Sequence, residues 1–224
     1  MEANTKRLED GSYEVKLPRI AGIGQLPTNH NMAWSRAQSL WKNNSPELRV
    51  KMKENLEELE KLEYIESVTK QSEPNEQNQV HYIPIQAVIT PSKTTTKIRM
   101  VMDASAHQKN QPSLNEYIAT GPQLIDNQLG IQIRTRIGEK FICADVEKAY
   151  LQIKIHPKDQ DLLRGIHYKD PLKPPVNENI WYFKYKRLIF GLSAAPFILA
   201  YILRKHMDQD EDQEKHRNHQ RAQN

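Results

Sequence analysis

An aspartate in the setting of a metal ligand is the first feature of this sequence that points to chemistry. Asp145 lies near the end of the apolar run 141–146. A carboxylate at a strand end projects from the sheet edge, where, with a neighbouring carboxylate, it can hold the Mg²⁺ that phosphoryl transfer needs, because hard cations prefer oxygen ligands. The same position suits a cap or turn residue, or a carboxylate paired with Lys148, and these alternatives stay open.

Two cations on one strand point to the binding of phosphates. Lys97 and Arg99 alternate onto one face of the run 94–105, TTTKIRMVMDAS. A half-buried strand tolerates few charges on one face, and an arginine can grip a triphosphate through two parallel hydrogen bonds. A solvated edge strand, kept soluble by its cations, explains the pattern equally well.

A third pattern, FGLSAAPF at 190–197, places several small residues directly before a helix. Without large side chains the backbone can approach a ligand closely. An ordinary strand-to-helix turn with a hydrophobic start fits the same letters, so both interpretations stay open.

The elements that must position these residues can be read from periodicity and turn signals. The runs 80–89 and 98–102 predict two antiparallel strands joined by a polar loop. The apolar run 141–146 predicts a third strand, which would bury Cys143, and 181–185 predicts a fourth. Residues 195–207 predict a helix, with its proline tolerated in the first turn.

The N-terminal half contains one clear helix. Ser45 is a suitable N-cap before Pro46 at the first helical position. One apolar face then follows at helical spacing: Leu48, Met52, Leu56, Leu59 and Leu62. Before this helix, 12–17 alternates like a short strand, and the remainder of 1–44 is predicted to be an extended arm that docks its tryptophans. After Met207 the tail holds one aliphatic residue, so we expect disorder there.

Composition narrows the class of protein. The chain has 224 residues, of which 38% are hydrophobic and 27% charged, and a single cysteine excludes an internal disulfide and a multi-cysteine zinc site. No run is long enough for a membrane span and no secretory signal is visible, so we expect an intracellular protein, cytoplasmic or nuclear. The net charge is +4, and the tail 208–224 carries five acids against three bases, which leaves +6 on 1–207. A basic body suits a polyanionic partner.

The order of the three patterns resembles reverse transcriptases, and within them the BEL/Pao class of long-terminal-repeat retrotransposons. Four segments carry the resemblance: TTTKIRMVMDASA (94–106), SLNEYIATGPQL (113–124), ADVEKAYLQIKIHPKDQDLLR (144–164) and FGLSAAPF (190–197). Three upstream segments fit the same class: YEVKLP (13–18), LPTNHNMA (26–33) and HYIPIQAV (81–88). The similarity extends over 12–207.

The resemblance implies a role for residues near the reacting atoms. Asp145 matches the first metal-binding aspartate of the polymerase palm, a ligand of Mg²⁺. The backbone of Val146 would lie beside the incoming nucleotide. Tyr150 matches the bulky gate under the sugar, which would clash with a 2′-hydroxyl and select deoxynucleotides. Asp103 and Ser105 would lie near the templating base.

The resemblance also implies residues that bind the nucleotide. Arg99 and Lys97 match fingers residues that hold the triphosphate. Phe190 and Gly191 match the turn that packs against the nucleotide and the template. The implied partners are an RNA or DNA template–primer and deoxynucleoside triphosphates, with no membrane partner.

The implied fold is an α+β partial right hand with four regions. These regions are an N-terminal arm (1–44), a fingers-like region (45–140), part of a palm (141–207) and a disordered polar tail (208–224). Two-metal catalysis needs further carboxylates, which reverse transcriptases take from an Asp-Asp hairpin, and this chain has no adjacent Asp-Asp. We therefore expect a fragment of an RNA-directed DNA polymerase that is inactive alone. The alternative is a non-catalytic nucleic-acid-binding relic.

Overall fold

The computed structural model describes residues 1–69, 79–89, 98–140 and 142–221, with side chains left undescribed at Ile89, Ile98, Arg99 and 210–221. Helices and small sheets are combined in an α+β arrangement. The α-helices are α1 His30–Asn43, α2 Pro46–Lys61, α3 Leu114–Tyr117, α4 Gln128–Arg134, α5 Pro157–Gln160 and α6 Ala195–Arg221. Short 3₁₀ turns occupy Glu2–Asn4, Ala149–Gln152, Asp161–Leu163 and Asn177–Asn179.

Eight short strands form three sheets among the described residues. The strands are β1 Thr5–Arg7, β2 Tyr13–Val15, β3 Ile65–Val68, β4 Ile85–Ile89, β5 Ile98–Met102, β6 Lys154–Ile155, β7 Arg164–Tyr168 and β8 Ile180–Tyr185. The first sheet has the order β1-β2-β6, with β2 antiparallel to β1 and parallel to β6. The second is antiparallel with the order β3-β8-β7, and the third is the antiparallel pair β4–β5.

Local sequence signals are confirmed where they are strongest. The Ser45 hydroxyl accepts a hydrogen bond from the Leu48 amide at 3.3 Å, so it caps α2 as predicted. On the predicted apolar face of α2, Met52 and Leu56 are buried. The strand pair β4–β5 has the predicted antiparallel pairing, although β4 begins at Ile85 rather than at residue 80.

Two hydrophobic cores hold these elements together. The main core joins β2, α2, α3, β8 and the start of α6, with fully buried residues from each: Val15, Leu56, Leu114, Phe183 and Ile198. The second core lies between α1 and the other face of the β7–β8 pair. Because the start of α6 and the end of β5 both pack into the main core, the segments next to them are held in fixed positions.

The predicted strand at 141–146 is wrong for its described part. Residues 142–146 form no strand, with Ile142 89% and Val146 52% exposed, and Cys143 is exposed rather than buried. An apolar run becomes a strand only where a neighbour pairs with its backbone. No described strand pairs with this run, so Asp145 lies on an exposed loop and not at a strand end.

The prediction of an extended N-terminal arm over 1–44 is wrong near its end, where the chain forms helix α1, His30–Asn43. Ala33 and Ala37 are buried one helical turn apart, and Trp34 and Trp41 pack against the second core, as docking tryptophans were predicted to do. At the other end of the chain, the backbone of 208–221 continues α6, whereas the sequence predicts disorder there. The boundaries of the four predicted regions stay predictions.

Two buried histidines predict loss of stability in mild acid. Burial lowers the pKa of His81 and of His167 from 6.5 to about 4. Between these values the unfolded chain binds more protons than the folded one, so the free energy of unfolding falls as the pH drops through that window. Each histidine contributes a loss of about 2 kcal/mol at ~pH 5.

Urea unfolding at ~pH 7 and ~pH 5 measures this loss. His167→Gln should reduce the difference between the two pH values, and His107→Gln, a substitution at an exposed position, is the control. Equal pH dependence in wild type and His167→Gln would contradict the assignment.

Candidate functional site

Residues from three distant parts of the sequence meet at one place in the structure. These parts are the residues at the end of β5 (102–105), the 3₁₀ turn Ala149–Gln152 and the turn 190–194 before α6. The rings of Tyr150 and Phe190 are in edge-to-face contact, with centroids 5.5 Å apart and planes at 68°. We call the place formed by 102–105, Asn115, Tyr150 and 190–194 the motif junction.

Gly191 allows the backbone of the motif junction to close. Its φ is +107°, in the region that favours glycine, and a Cβ added there would overlap the carbonyl oxygen of Met102. That carbonyl belongs to the last residue of β5, which is paired with β4. The close approach of two backbones therefore depends on the absence of a side chain at residue 191.

Asn115 connects the same two segments by hydrogen bonds. Its Nδ2 donates to the Ser105 hydroxyl at 2.8 Å and to the Gly191 carbonyl at 3.0 Å. Its Oδ1 accepts from the Ser193 amide at 2.8 Å. The Asn115 amide donates to the Ala104 carbonyl at 3.0 Å. The segments 103–105 and 190–193 are thereby held to one side chain.

The two aromatic rings of the motif junction differ in exposure. Tyr150 is partly buried and packs against the main core. Phe190 is 64% exposed, with an edge-to-face contact to Tyr150. An aromatic ring held from one side and open on the other is a surface on which a nucleic-acid base can stack.

Asp103 and Ser105, predicted to lie near a templating base, both belong to the motif junction. The Asp103 carboxylate accepts a hydrogen bond from Gln86 Nε2 at 3.3 Å, and its amide donates to the Pro84 carbonyl at 2.9 Å. Ser105 is exposed, and its hydroxyl is oriented by Asn115. The loop after β5 is therefore anchored to the backbone that precedes β4.

Asp145 and Val146 lie outside these contacts, on the exposed loop that leads to the 3₁₀ turn. Lys148 forms an ion pair with Glu58 of α2 at 3.3 Å, so the alternative pairing of Lys148 with Asp145 is wrong. Lys148 also has a left-handed backbone, with φ +50°, at the start of the turn that carries Tyr150. Among the described residues, none forms a hydrogen bond or ion pair with the Asp145 carboxylate.

The described residues show no cluster of metal ligands around Asp145. In the described part of the chain, no group of three His, Cys, Asp or Glu side chains lies close enough to hold a metal. Mg²⁺ keeps most of its waters and needs further carboxylates or substrate phosphates to be held firmly. Asp145 alone supplies a single ligand, which does not fit two-metal chemistry.

The basic strand leads into the motif junction. Arg99 pairs with Val88 in the β4–β5 register, three residues before Met102. Its side chain and the whole of Lys97 lie outside the described residues, so their predicted contact with a triphosphate stays a prediction.

Sequence reasoning missed Asn115. It lies in α3, whose Ser113 and Glu116 form a capping box, a pattern that can be read from S-x-x-E in the sequence. The capping box predicts the helical turn, but the partners of Asn115 are up to 78 residues away and leave no local signal.

The chain matches no protein-family model and no curated protein. Across the described residues, no helix combines the length and the apolar composition required to cross a membrane.

Proposed function

We propose that this chain is the fingers and the first part of the palm of an RNA-directed DNA polymerase, from a retrotransposon of the BEL/Pao class. One observation carries the proposal. The segments that resemble reverse transcriptases at 103–105, 150 and 190–191 are far apart in sequence, yet the Tyr150–Phe190 ring contact and the hydrogen bonds of Asn115 to Ser105 and Gly191 join them in the motif junction. Residues that bind the same ligand must lie close together, and this explains why the three segments meet.

Each residue then has a physical role in binding a template–primer and a deoxynucleotide. The open ring of Phe190 stacks on a base. The bare backbone at Gly191 allows that base to come close. Tyr150, fixed by the main core and by Phe190, closes the space that a 2′-hydroxyl would need. Arg99 and Lys97 neutralise the triphosphate.

Binding and catalysis are separable in this proposal. Phosphoryl transfer depends on positioning and on charge neutralisation by metal ions. The chain contains no adjacent Asp-Asp, and in the described part of the chain no group of three His, Cys, Asp or Glu side chains could hold a metal. We therefore expect this polypeptide to bind a template–primer without extending it.

A non-catalytic nucleic-acid-binding protein is the second candidate, and the incomplete carboxylate set favours it. The two candidates differ in their treatment of nucleotides. A polymerase fragment should retain a deoxynucleoside triphosphate on its complex with a template–primer, in preference to the ribonucleotide, because Tyr150 excludes the 2′-hydroxyl. A simple nucleic-acid binder should retain neither nucleotide.

The affinity for a fluorescein-labelled primer–template, measured by anisotropy over a range of KCl concentrations, tests the proposal. We expect the logarithm of the association constant to fall linearly with the logarithm of salt, by about 0.7–0.9 per neutralised phosphate. A matched duplex with uncharged methylphosphonate linkages should bind much more weakly. Absence of binding at low salt, or an affinity that salt does not change, would contradict the proposal.

A primer-extension assay with Mg²⁺ on the same complex tests the expected inactivity. The predicted result is an unextended primer. Magnesium-dependent synthesis by this polypeptide would show that the carboxylate set is complete in a way that the sequence does not indicate.

A further inference from the structure

Asn115 uses all the hydrogen-bonding capacity of its side-chain amide nitrogen and one lone pair of its oxygen within the motif junction. Nδ2 donates two hydrogen bonds, to Ser105 and to Gly191, and Oδ1 accepts one from Ser193. The amide therefore has one orientation that satisfies all three partners, since a flipped amide would place oxygen against the Gly191 carbonyl.

The short helix α3, which carries Asn115, is held firmly in place. Ser113 Oγ accepts from the Glu116 amide at 3.2 Å, and the Glu116 carboxylate accepts from the Ser113 amide at 2.8 Å, which completes a capping box around Asn115. Its neighbour Leu114 is fully buried in the main core. Because α3 is anchored in the core, the hydrogen bonds of the Asn115 side chain hold the turn 190–193 in a fixed position relative to the core.

We propose that Asn115 is a positioning residue for the bound template–primer, acting through Gly191 and Ser105 rather than by contact with the nucleic acid. This inference rests on the proposed function. The Gly191 carbonyl belongs to the peptide between Gly191 and Leu192, so the hydrogen bond from Asn115 fixes the backbone one residue after the open ring of Phe190. The bond to Ser105 fixes the loop on the template side of the same junction.

The geometry is selective for asparagine. Aspartate keeps the acceptor for the Ser193 amide and can accept from the Ser105 hydroxyl, but it places a carboxylate oxygen against the Gly191 carbonyl. Alanine removes all three side-chain bonds. Asn115→Asp therefore breaks the link to Gly191 and retains the rest, and Ser105→Ala removes only the link to Ser105.

The matched control is Asn179, a second asparagine that organises a loop. Its Nδ2 donates to the carbonyls of Asp170, Lys173 and Pro174, and its Oδ1 accepts from the Asp170 amide. None of these partners belongs to the motif junction. Asn179→Asp disturbs a comparable network without touching Gly191 or Ser105.

The experiment measures the dissociation constant for the fluorescein-labelled primer–template in wild type and in the four variants, all checked by near-ultraviolet circular dichroism. We expect Asn115→Ala and Asn115→Asp to weaken binding by about tenfold, because a small displacement of a positioned group is costly. Ser105→Ala should show a smaller loss, and Asn179→Asp should bind like wild type.

Two further readouts separate positioning from a merely structural role. The salt dependence of binding should keep its slope in Asn115→Ala, because this variant adds no charge and loses no phosphate contact. Hydrogen exchange at the Ser193 amide should accelerate in Asn115→Ala and stay slow in Asn115→Asp, which retains the acceptor. A structural role alone would leave the affinity of folded Asn115→Asp unchanged.

The outcomes distinguish this inference from the proposed function. Wild-type affinity in folded Asn115→Asp and Ser105→Ala, with normal binding by wild type, overturns the role of Asn115 and leaves the proposed function standing. Equal losses in Asn115→Asp and Asn179→Asp overturn it as well. Absence of primer–template binding by wild type overturns the proposed function and, with it, this inference.

Discussion

Gly191→Ala should lower the free energy of unfolding by about 3 kcal/mol or more. Alanine at φ +107° carries backbone strain of about 1 kcal/mol. Its Cβ also overlaps the Met102 carbonyl oxygen, and that backbone cannot move away freely, since β5 is paired with β4. The rest of the loss comes from forcing these two backbones apart. Urea unfolding measures the effect.

Gly22→Ala is the matched control for the backbone conformation. Gly22 has a φ of +83°, and no atom lies within 4 Å of a Cβ built on it. Its substitution should cost only the strain, about 1 kcal/mol. Equal losses in the two variants would mean that the approach of residue 191 to Met102 is not part of the folded protein.

Arg164→Ala should cost about 3–5 kcal/mol of stability, since it removes one partner of a buried ion pair. The Arg164 guanidinium is almost completely buried, and its Nε and Nη2 donate to Asp161 Oδ1 at 3.0 and 2.8 Å. Its Nη1 also donates to the Tyr82 hydroxyl at 3.3 Å. Alanine would leave the Asp161 carboxylate without this cation and open a cavity between β7 and the chain at residue 82.

The control for this variant is Lys173→Ala. Lys173 and Asp170 have the same spacing of three residues and a distance of 3.2 Å, but both side chains are exposed. Exposed pairs contribute little because water screens their charges, so the expected loss is small compared with that of Arg164→Ala. Chemical unfolding of both variants in parallel gives the difference, and similar losses would show that burial of Arg164 has no energetic effect.

Local signals predicted the elements that local interactions determine. The cap at Ser45, the buried face of α2 and the antiparallel β4–β5 pair follow from neighbours in sequence or from a short connection. The strand predicted at 141–146 is absent from its described part, 142–146, because a strand needs a partner strand, which the described residues do not supply. Helix α1 was missed because its two fully buried residues are alanines, which carry a weak hydrophobic signal.

The sequence named some residues of the motif junction, but it did not predict their arrangement. Tyr150, Phe190 and Gly191 were identified by resemblance, and their contacts arise from packing between segments about 40 residues apart along the chain. No sequence pattern marks Asn115. Its hydrogen-bond partners are the Ser105 hydroxyl, the Gly191 carbonyl and the Ser193 amide, which only the fold brings together. Long-range polar contacts of this kind cannot be read from spacing.

The central claim is that the motif junction binds nucleic acid through the open ring of Phe190. The affinity of Phe190→Ala for a primer–template tests this claim most directly. Leu172→Ala, a truncation of another exposed apolar side chain, is the control, with Leu172 61% exposed. Because stacking on one base contributes about 1–3 kcal/mol, the account predicts that Phe190→Ala binds at least about fivefold more weakly, whereas Leu172→Ala binds like wild type. Wild-type affinity in folded Phe190→Ala would contradict the account.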